Sequence, residues 1–237
     1  MMGRNNYFRF KQFTIIQELS AMKVGVDGVI LGAWVNLNGI QSVLDVGTGT
    51  GLLALMIAQR SESFVMAIDI DEPSCREAVQ NVKNSPWPDR IRVNHISFQE
   101  LARNSNLKFD TIISNPPYFV NSSRPDDTRR SNARHDVNLS FLDFITSSRQ
   151  LLLPEGKISV ILPADSAGLF VNTARDQGFY LNRMTRIRHY PGKPFHRYLM
   201  ELSQISSPVA ESLLTIDSGG GFTEEYRSLT QDFYLAF

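Results

Sequence analysis

The chain carries a single cysteine, Cys75, and only four histidines, well separated, in 237 residues. One thiol cannot form an internal disulfide, and scattered imidazoles offer no zinc-ligand spacing. Neither a disulfide scaffold nor a metal site is expected, and a reducing cytoplasm is the expected location. An excess of one charge is also missing, because 24 Lys+Arg balance 24 Asp+Glu. A globally basic nucleic-acid coat is thereby excluded, while a local basic face is not. Long apolar runs are absent too. None approaches the ~18 residues that a membrane helix needs, and no apolar stretch follows Arg4, Arg9 and Lys11 as it would in a secretion signal. The chain is expected to be neither secreted nor inserted. Its 42% hydrophobic and 20% charged residues exclude disorder as the main theme. The length fits one domain with an appendage, at ~100–200 residues per domain.

What is present is a rhythm. Apolar runs at 42–46, 64–70, 91–96, 109–114 and 157–162 read as strands. Residues 52–59, 72–83, 139–153 and 164–177 read as helices, with stops at Ser85-Pro86-Trp87-Pro88, at Pro154 and Gly156, and at Gly178. This alternation predicts an α/β fold, a parallel sheet with helices on both faces. After Gly178 two strands, 180–189 and 198–205, flank Pro191-Gly192-Lys193-Pro194. They add a C-terminal antiparallel hairpin, which brings the expected sheet to seven mostly parallel strands. Residues 222–237 read as a short helix plus tail, 1–40 as an N-terminal arm or cap, and 41–237 as one globular unit.

The turn Asp45-Val46-Gly47-Thr48-Gly49-Thr50-Gly51 joins the first of these strands to its helix. Its glycines let the backbone turn tightly and let a ligand approach. The spacing G-x-G-x-G differs from the G-x-G-x-x-G of dinucleotide binders. Asp45 would repel a pyrophosphate and suits an amine-bearing ligand. Asp69 ends the second strand, 22 residues after Gly47, where an acid can accept hydrogen bonds from ribose hydroxyls. Asp71 competes for that role but reads better as the N-cap of the next helix. The expected ligand is a nucleoside with a short zwitterionic tail, S-adenosyl-L-methionine. The bland alternative is a plain strand-to-helix turn, and Asp45 and Asp69 together weigh against it.

The fourth strand runs into Asn115-Pro116-Pro117-Tyr118. In an open α/β sheet the ligand crevice lies beyond the carboxyl ends of the strands, so this tetrad and the glycine turn are expected to meet. Two prolines stiffen the loop and supply no N–H, leaving the Asn115 side-chain oxygen and the Pro116 carbonyl as acceptors. Two acceptors suit a planar –NH2, and Tyr118 offers a face on which a base can stack. A rigid loop exit with an Asn turn is the alternative reading of the tetrad alone.

The combination resembles the Rossmann-like class I methyltransferases that methylate exocyclic amines of bases or a glutamine amide. More narrowly, Phe10-Lys11-Gln12-Phe13, Ala21-Met22-Lys23-Val24-Gly25-Val26-Asp27-Gly28, Leu31-Gly32-Ala33-Trp34, Ala133-Arg134-His135 and the tail Leu229-Thr230-Gln231-Asp232-Phe233-Tyr234-Leu235 look like the bacterial tRNA1(Val) (adenine(37)-N6)-methyltransferase family. The resemblance implies methylation of adenine in the anticodon loop of a tRNA. It implies that Asp45, Gly47, Gly49, Gly51 and Asp69 hold the cofactor and that Asn115, Pro116 and Tyr118 hold the target base. Where such enzymes often carry an acid for the cofactor adenine, this chain has Ser97, and Phe98 is expected to pack on the adenine instead.

For the RNA, the expected contacts are Pro117, Arg129, Arg130 and Arg134 after the tetrad, with Lys11 and Lys23 from the arm. Residues 183–197 hold Arg183, Arg186, Arg188, Lys193 and Arg197 and no acid. Cations interleaved with aromatics suit phosphate contact and stacking on unpaired bases, although for any one residue ordinary solvated charge is the default. Other substrates remain open at this point: a release-factor glutamine, an rRNA guanine, a DNA adenine. So does a non-catalytic, cofactor-binding RNA-binding protein.

Overall fold

The computed structural model describes residues 6–116 and 139–237. The arm opens with a hairpin, β1 (Tyr7–Arg9) and β2 (Thr14–Ile16), and continues into α1 (Val26–Trp34). The body follows as β3 (Ser42–Val46), α2 (Leu52–Arg60), β4 (Phe64–Asp69), α3 (Glu72–Lys83), β5 (Ile91–His95), α4 (Phe98–Asn104) and β6 (Phe109–Ser114). After the undescribed stretch come α5 (Phe141–Leu151), β7 (Leu152–Pro163), α6 (Ala164–Asp176), β8 (Tyr180–Arg188), β9 (Arg197–Ser203), β10 (Ala210–Thr215) and α7 (Glu224–Thr230).

Several boundaries follow from short polar signals. Asp71 caps α3 by accepting the Ser74 N–H at 2.9 Å, so the capping role read for it is the one it has. Ser140 and Asp143 form a reciprocal capping box at the start of α5. Gly178, at φ +81°, closes the turn after α6. Pro154 and Gly156, by contrast, do not separate helix from strand. They lie inside β7, which pairs Phe109 with Leu152 and then Thr111 with Lys157, so the extra residues bulge. A Cβ at Gly156 would sit 2.9 Å from Leu153 O and 3.0 Å from Phe109 O, and only glycine fits this close approach.

Among the described residues the main sheet has eight strands in the order β10-β8-β9-β7-β6-β3-β4-β5. This is one more than the seven read from the sequence. The addition, β10, pairs in parallel with β8 at the outer edge. Strands β3 to β7 run parallel, and β9 is antiparallel to both β7 and β8.

Each central strand feeds two cores. Val43 and Ile113 join the apolar cluster containing α1 and α2, whereas their neighbours Leu44 and Ile112 join the one containing α4, α5 and α6. The arm is part of the first core. Phe10 and Phe13 are buried, and Tyr234 of the tail stands 6.1 Å from each of Phe8 and Phe10, ring to ring.

The second core supports a wall of the crevice described below. Phe144 is fully buried between Phe98 (5.3 Å) and Phe170 (6.2 Å). Phe144→Ala should therefore destabilise the fold by ~3–5 kcal/mol, read as a lower urea midpoint with unchanged slope. A loss below ~1 kcal/mol would mean that the packing collapses around the vacancy.

Candidate active site at the carboxyl edge of the sheet

Strand order reverses between β3 and β6, and a crevice opens beyond their carboxyl ends. A cavity of about 490 Å³ lies there. The glycine turn, Asp69 to Asp71, Ile96 to Gln99, Ser114 to Pro116 and the arm residues Ala21 to Gly25 line it. The glycine turn and Asn115-Pro116, the described half of the tetrad, are thus brought together, and a hydrogen bond ties the strand ends that carry them, since Ser114 Oγ donates to Val46 O at 2.8 Å.

The turn is built for close approach. Gly47 and Gly49 have φ of +73° and +54°, and a Cβ added at either would meet nothing within 4 Å. The space in front of them is therefore open to a ligand, and the backbone conformation requires glycine. Gly51 has a different task. At φ +84° it is the N-cap of α2 and packs against Ala78 of α3, away from the cavity lining. Asp69 props the turn, with Oδ2 accepting the Gly49 N–H at 2.8 Å and Oδ1 the Asp71 N–H at 3.0 Å. A carboxylate has about four lone-pair sites, so capacity is left for ribose hydroxyls.

Asp45 lies beneath the turn and is fully buried. Its Oδ2 accepts the Thr48 hydroxyl at 2.6 Å, while Oδ1 has no hydrogen-bond partner among the described residues. Burial pushes its pKa up to about 7; the Thr48 hydroxyl opposes this, the nearby Asp69 charge adds to it, and the Ala54 amide pulls weakly the other way. A buried carboxylate left partly unsatisfied favours a neighbouring cation or donor. With open glycines in front and Asp69 at the rim, this donor set fits a nucleoside carrying an amino-acid tail.

Ser97 is the N-cap of α4, its Oγ accepting the Glu100 N–H at 3.2 Å, and it lines the cavity together with Phe98. Phe98 opens α4, where backbone N–H groups have no intrahelical partner. Asn115 and Pro116 follow β6 directly and are half-buried in the lining. Pro117, Tyr118, Arg129, Arg130 and Arg134 lie outside the described residues. Lys23 lines the cavity. Lys11, by contrast, donates its Nζ to Gln231 O (2.6 Å) and Phe237 O (2.7 Å), tying the arm to the tail.

Most of the basic stretch 183–197 has partners within the protein. Arg183 pairs with Glu201 (3.1 Å) and lies 3.5 Å above the Trp34 ring, Arg197 pairs with Asp27 (2.7 Å), and Arg186 pairs with Glu211. Gly28 lines the cavity as well, and no local signal in the sequence marks it as a site residue. A Cβ there would crowd Leu52 Cδ2 at 3.0 Å and only touch Asn115 Nδ2, at an ordinary 3.6 Å, so its smallness makes room for Leu52 at the start of α2. Among the described residues no cluster of three His, Cys, Asp or Glu could hold a metal ion, and no helix is long and apolar enough to cross a membrane.

The family model for the methyltransferase small domain matches residues 29–166. A tRNA1(Val) (adenine(37)-N6)-methyltransferase from Parabacteroides distasonis is 44% identical over 235 residues, covering 98% of both chains. The enzyme of the same name from Trichodesmium erythraeum is 42% identical, covering 98% of this chain and 99% of its own. The chain belongs to the tRNA1(Val) (adenine(37)-N6)-methyltransferase family. Among solved structures, a predicted O-methyltransferase from Agrobacterium tumefaciens shares the fold at a TM-score of 0.67 and 18% identity, covering 87% of this chain and 96% of its own. The family match runs from within α1 to the start of α6 and takes in the crevice apart from its arm lining, Ala21 to Gly25 and Gly28.

The Asp45 environment has a pH signature. Its folded-state pKa of about 7 lies above the ordinary 3.8. Its contribution to stability is therefore full below the unfolded value and is lost as pH rises through the folded one. Urea unfolding between about pH 4.5 and 8 should show wild type losing stability relative to Asp45→Asn as pH rises, levelling off above about 7, by a few kcal/mol in all. A pH-independent difference would mean that Asp45 is charged throughout.

Proposed function

We propose that this protein transfers a methyl group from S-adenosyl-L-methionine to the exocyclic N6 of adenine 37 in the anticodon loop of tRNA1(Val), acting in the cytoplasm with arm and body as one unit. The observation that carries the reading is the meeting of the glycine turn and Asn115-Pro116 in one cavity at the reversal of strand order. The near full-length likeness to relatives bearing that name supports the choice of substrate.

When bound, the cofactor supplies a sulfonium methyl that a nitrogen lone pair can attack. The work of the chain's own residues is placement and charge. Asp69 would accept the ribose hydroxyls, the open backbone at Gly47 and Gly49 would let the amino-acid tail lie close, and the Asp45 carboxylate beneath would favour its ammonium. The Asn115 oxygen and the Pro116 carbonyl would each accept an N–H of the target amine. Those bonds tighten as the nitrogen becomes positive, so they stabilise the transition state more than the bound substrate. No strong base is needed beforehand, because the methylated nitrogen sheds its proton to water afterwards. Tyr118 would stack on the base, and Arg129, Arg130, Arg134 and Lys23 would meet the RNA backbone.

Single-turnover methyl transfer to an unmodified tRNA, followed by nucleoside analysis, tests this. Wild type should form N6-methyladenosine at position 37. Asn115→Ala should slow transfer by roughly 10²–10³ while cofactor affinity stays within about twofold, so that kcat falls more than KM rises. A wild-type rate in Asn115→Ala would remove the asparagine from the chemistry. Transfer to a different nucleotide would overturn the substrate.

A further inference from the structure

The arm residues that line the cavity do not hold themselves in place. Residues Ala21 to Gly25 belong to a segment without regular structure between β2 and α1. At its base, Gln17 Oε1 accepts the Val24 N–H at 2.9 Å and closes a loop. The root of that loop is fastened to α3. Three successive backbone N–H groups, of Glu18, Leu19 (2.8 Å) and Ser20 (2.9 Å), donate to the carboxylate of Glu77. Consecutive amides converging in this way form an anion-binding nest, filled here by a side chain of the same protein. Glu77 is 2% exposed. Burial pushes its pKa up, but the Ser20 hydroxyl and these amides outweigh that and hold the carboxyl below its usual range.

Asn81, one helical turn further along α3, ties the end of β2, which leads into the arm loop, to the glycine turn. Its Oδ1 accepts the Ile16 N–H (2.8 Å), and its Nδ2 donates to Ile16 O (2.9 Å) and to Thr50 O of the glycine turn (2.9 Å). Residues four apart share a helix face. One face of α3 thus sets the distance between the arm loop and the glycine turn.

We propose that Glu77 is a positioning residue for the methyl donor: by gripping the amides of Glu18, Leu19 and Ser20 it fixes the arm loop as one wall of the cofactor cavity. This rests on the methyl-donor reading above. Coupling through the loop is reciprocal, so whatever Glu77 contributes to cofactor binding the cofactor returns as order in the loop.

The test combines S-adenosylhomocysteine titration with amide hydrogen exchange. In wild type the ligand should slow exchange at Leu19, Ser20 and Val24. Glu77→Ala should speed exchange there without ligand and weaken binding by about 5–150-fold, the usual span of such couplings. Glu77→Gln keeps the shape and one acceptor oxygen and should fall between the two. In turnover, KM for the methyl donor should rise while kcat at saturation stays within about threefold; a purely structural role would lower the melting temperature without that split. Wild-type affinity in Glu77→Gln or Glu77→Ala with a loosened loop would overturn this proposal alone. So would a wild-type loop whose exchange the ligand leaves unchanged, a result that needs no variant to fold. No binding of S-adenosylhomocysteine to wild type would overturn the methyl-donor reading itself.

Discussion

Strands β3 and β6 pair side by side and in parallel, yet α2 leaves β3 toward one face of the sheet while α5, the next described helix after β6, packs on the other. Backbone connections therefore part at this point, and a gap is left at the strand ends that no crossover among the described residues fills. The rest of the site is fitted to that gap. The positive-φ glycines turn the backbone tightly on the β3 side, the bond from Ser114 Oγ to Val46 O ties the β6 side to it, and Gly28 of α1 leaves room for Leu52 at the start of α2. The cost is a carboxylate, Asp45, enclosed under the turn with one oxygen unmatched among the described residues. Unmatched buried oxygens are rare in well-packed proteins, and a ligand donor is one way to repay them.

Electrostatics follow the same economy. A net charge of zero does not mean a featureless surface, because opposite charges are used up locally. Glu201, almost fully buried, stands between Lys157 (3.2 Å) and Arg183 (3.1 Å). Arg197 clamps Asp27 in the first turn of α1, holding the helix that carries Gly28 against the sheet. These cations therefore serve the scaffold first.

The central strands, α2 and α3, and the glycine turn between β3 and α2 were legible because each carries a strong local signal: an apolar run, an amphipathic period or a glycine. The misses are elements without one. In β10, Ala210–Thr215, four of six residues are exposed and Glu211 interrupts the apolar pattern, so nothing local marks it as a strand; β8 recruits it from outside. Helix α4 has seven residues, and the arm strands three each, too short for any period to show. For α1 the glycines Gly28 and Gly32 argue against a helix, yet both are there for packing: a Cβ at Gly32 would stand 2.7 Å from Met56 Sδ. In the site, residue types could be read but not their partners. Lys11 reads as an RNA contact from its sign and neighbours, and its bonds to the tail are an employment that only the structure shows.

That employment bears on how the protein is made. Lys11 and its acceptor carbonyl on Gln231 are 220 residues apart. At ~5–20 residues per second, the ribosome delivers the second partner roughly 10–45 s after the first. Throughout that interval Phe8 and Phe10 lack the tail ring, Tyr234, that they finally meet, and the arm that walls the cavity has only part of its seating. The nascent chain can pair its central strands early, but the clasp that finishes the pocket is among the last contacts to form. Folding intermediates should therefore expose an aromatic hairpin, the kind of surface that chaperones bind, until synthesis reaches the tail.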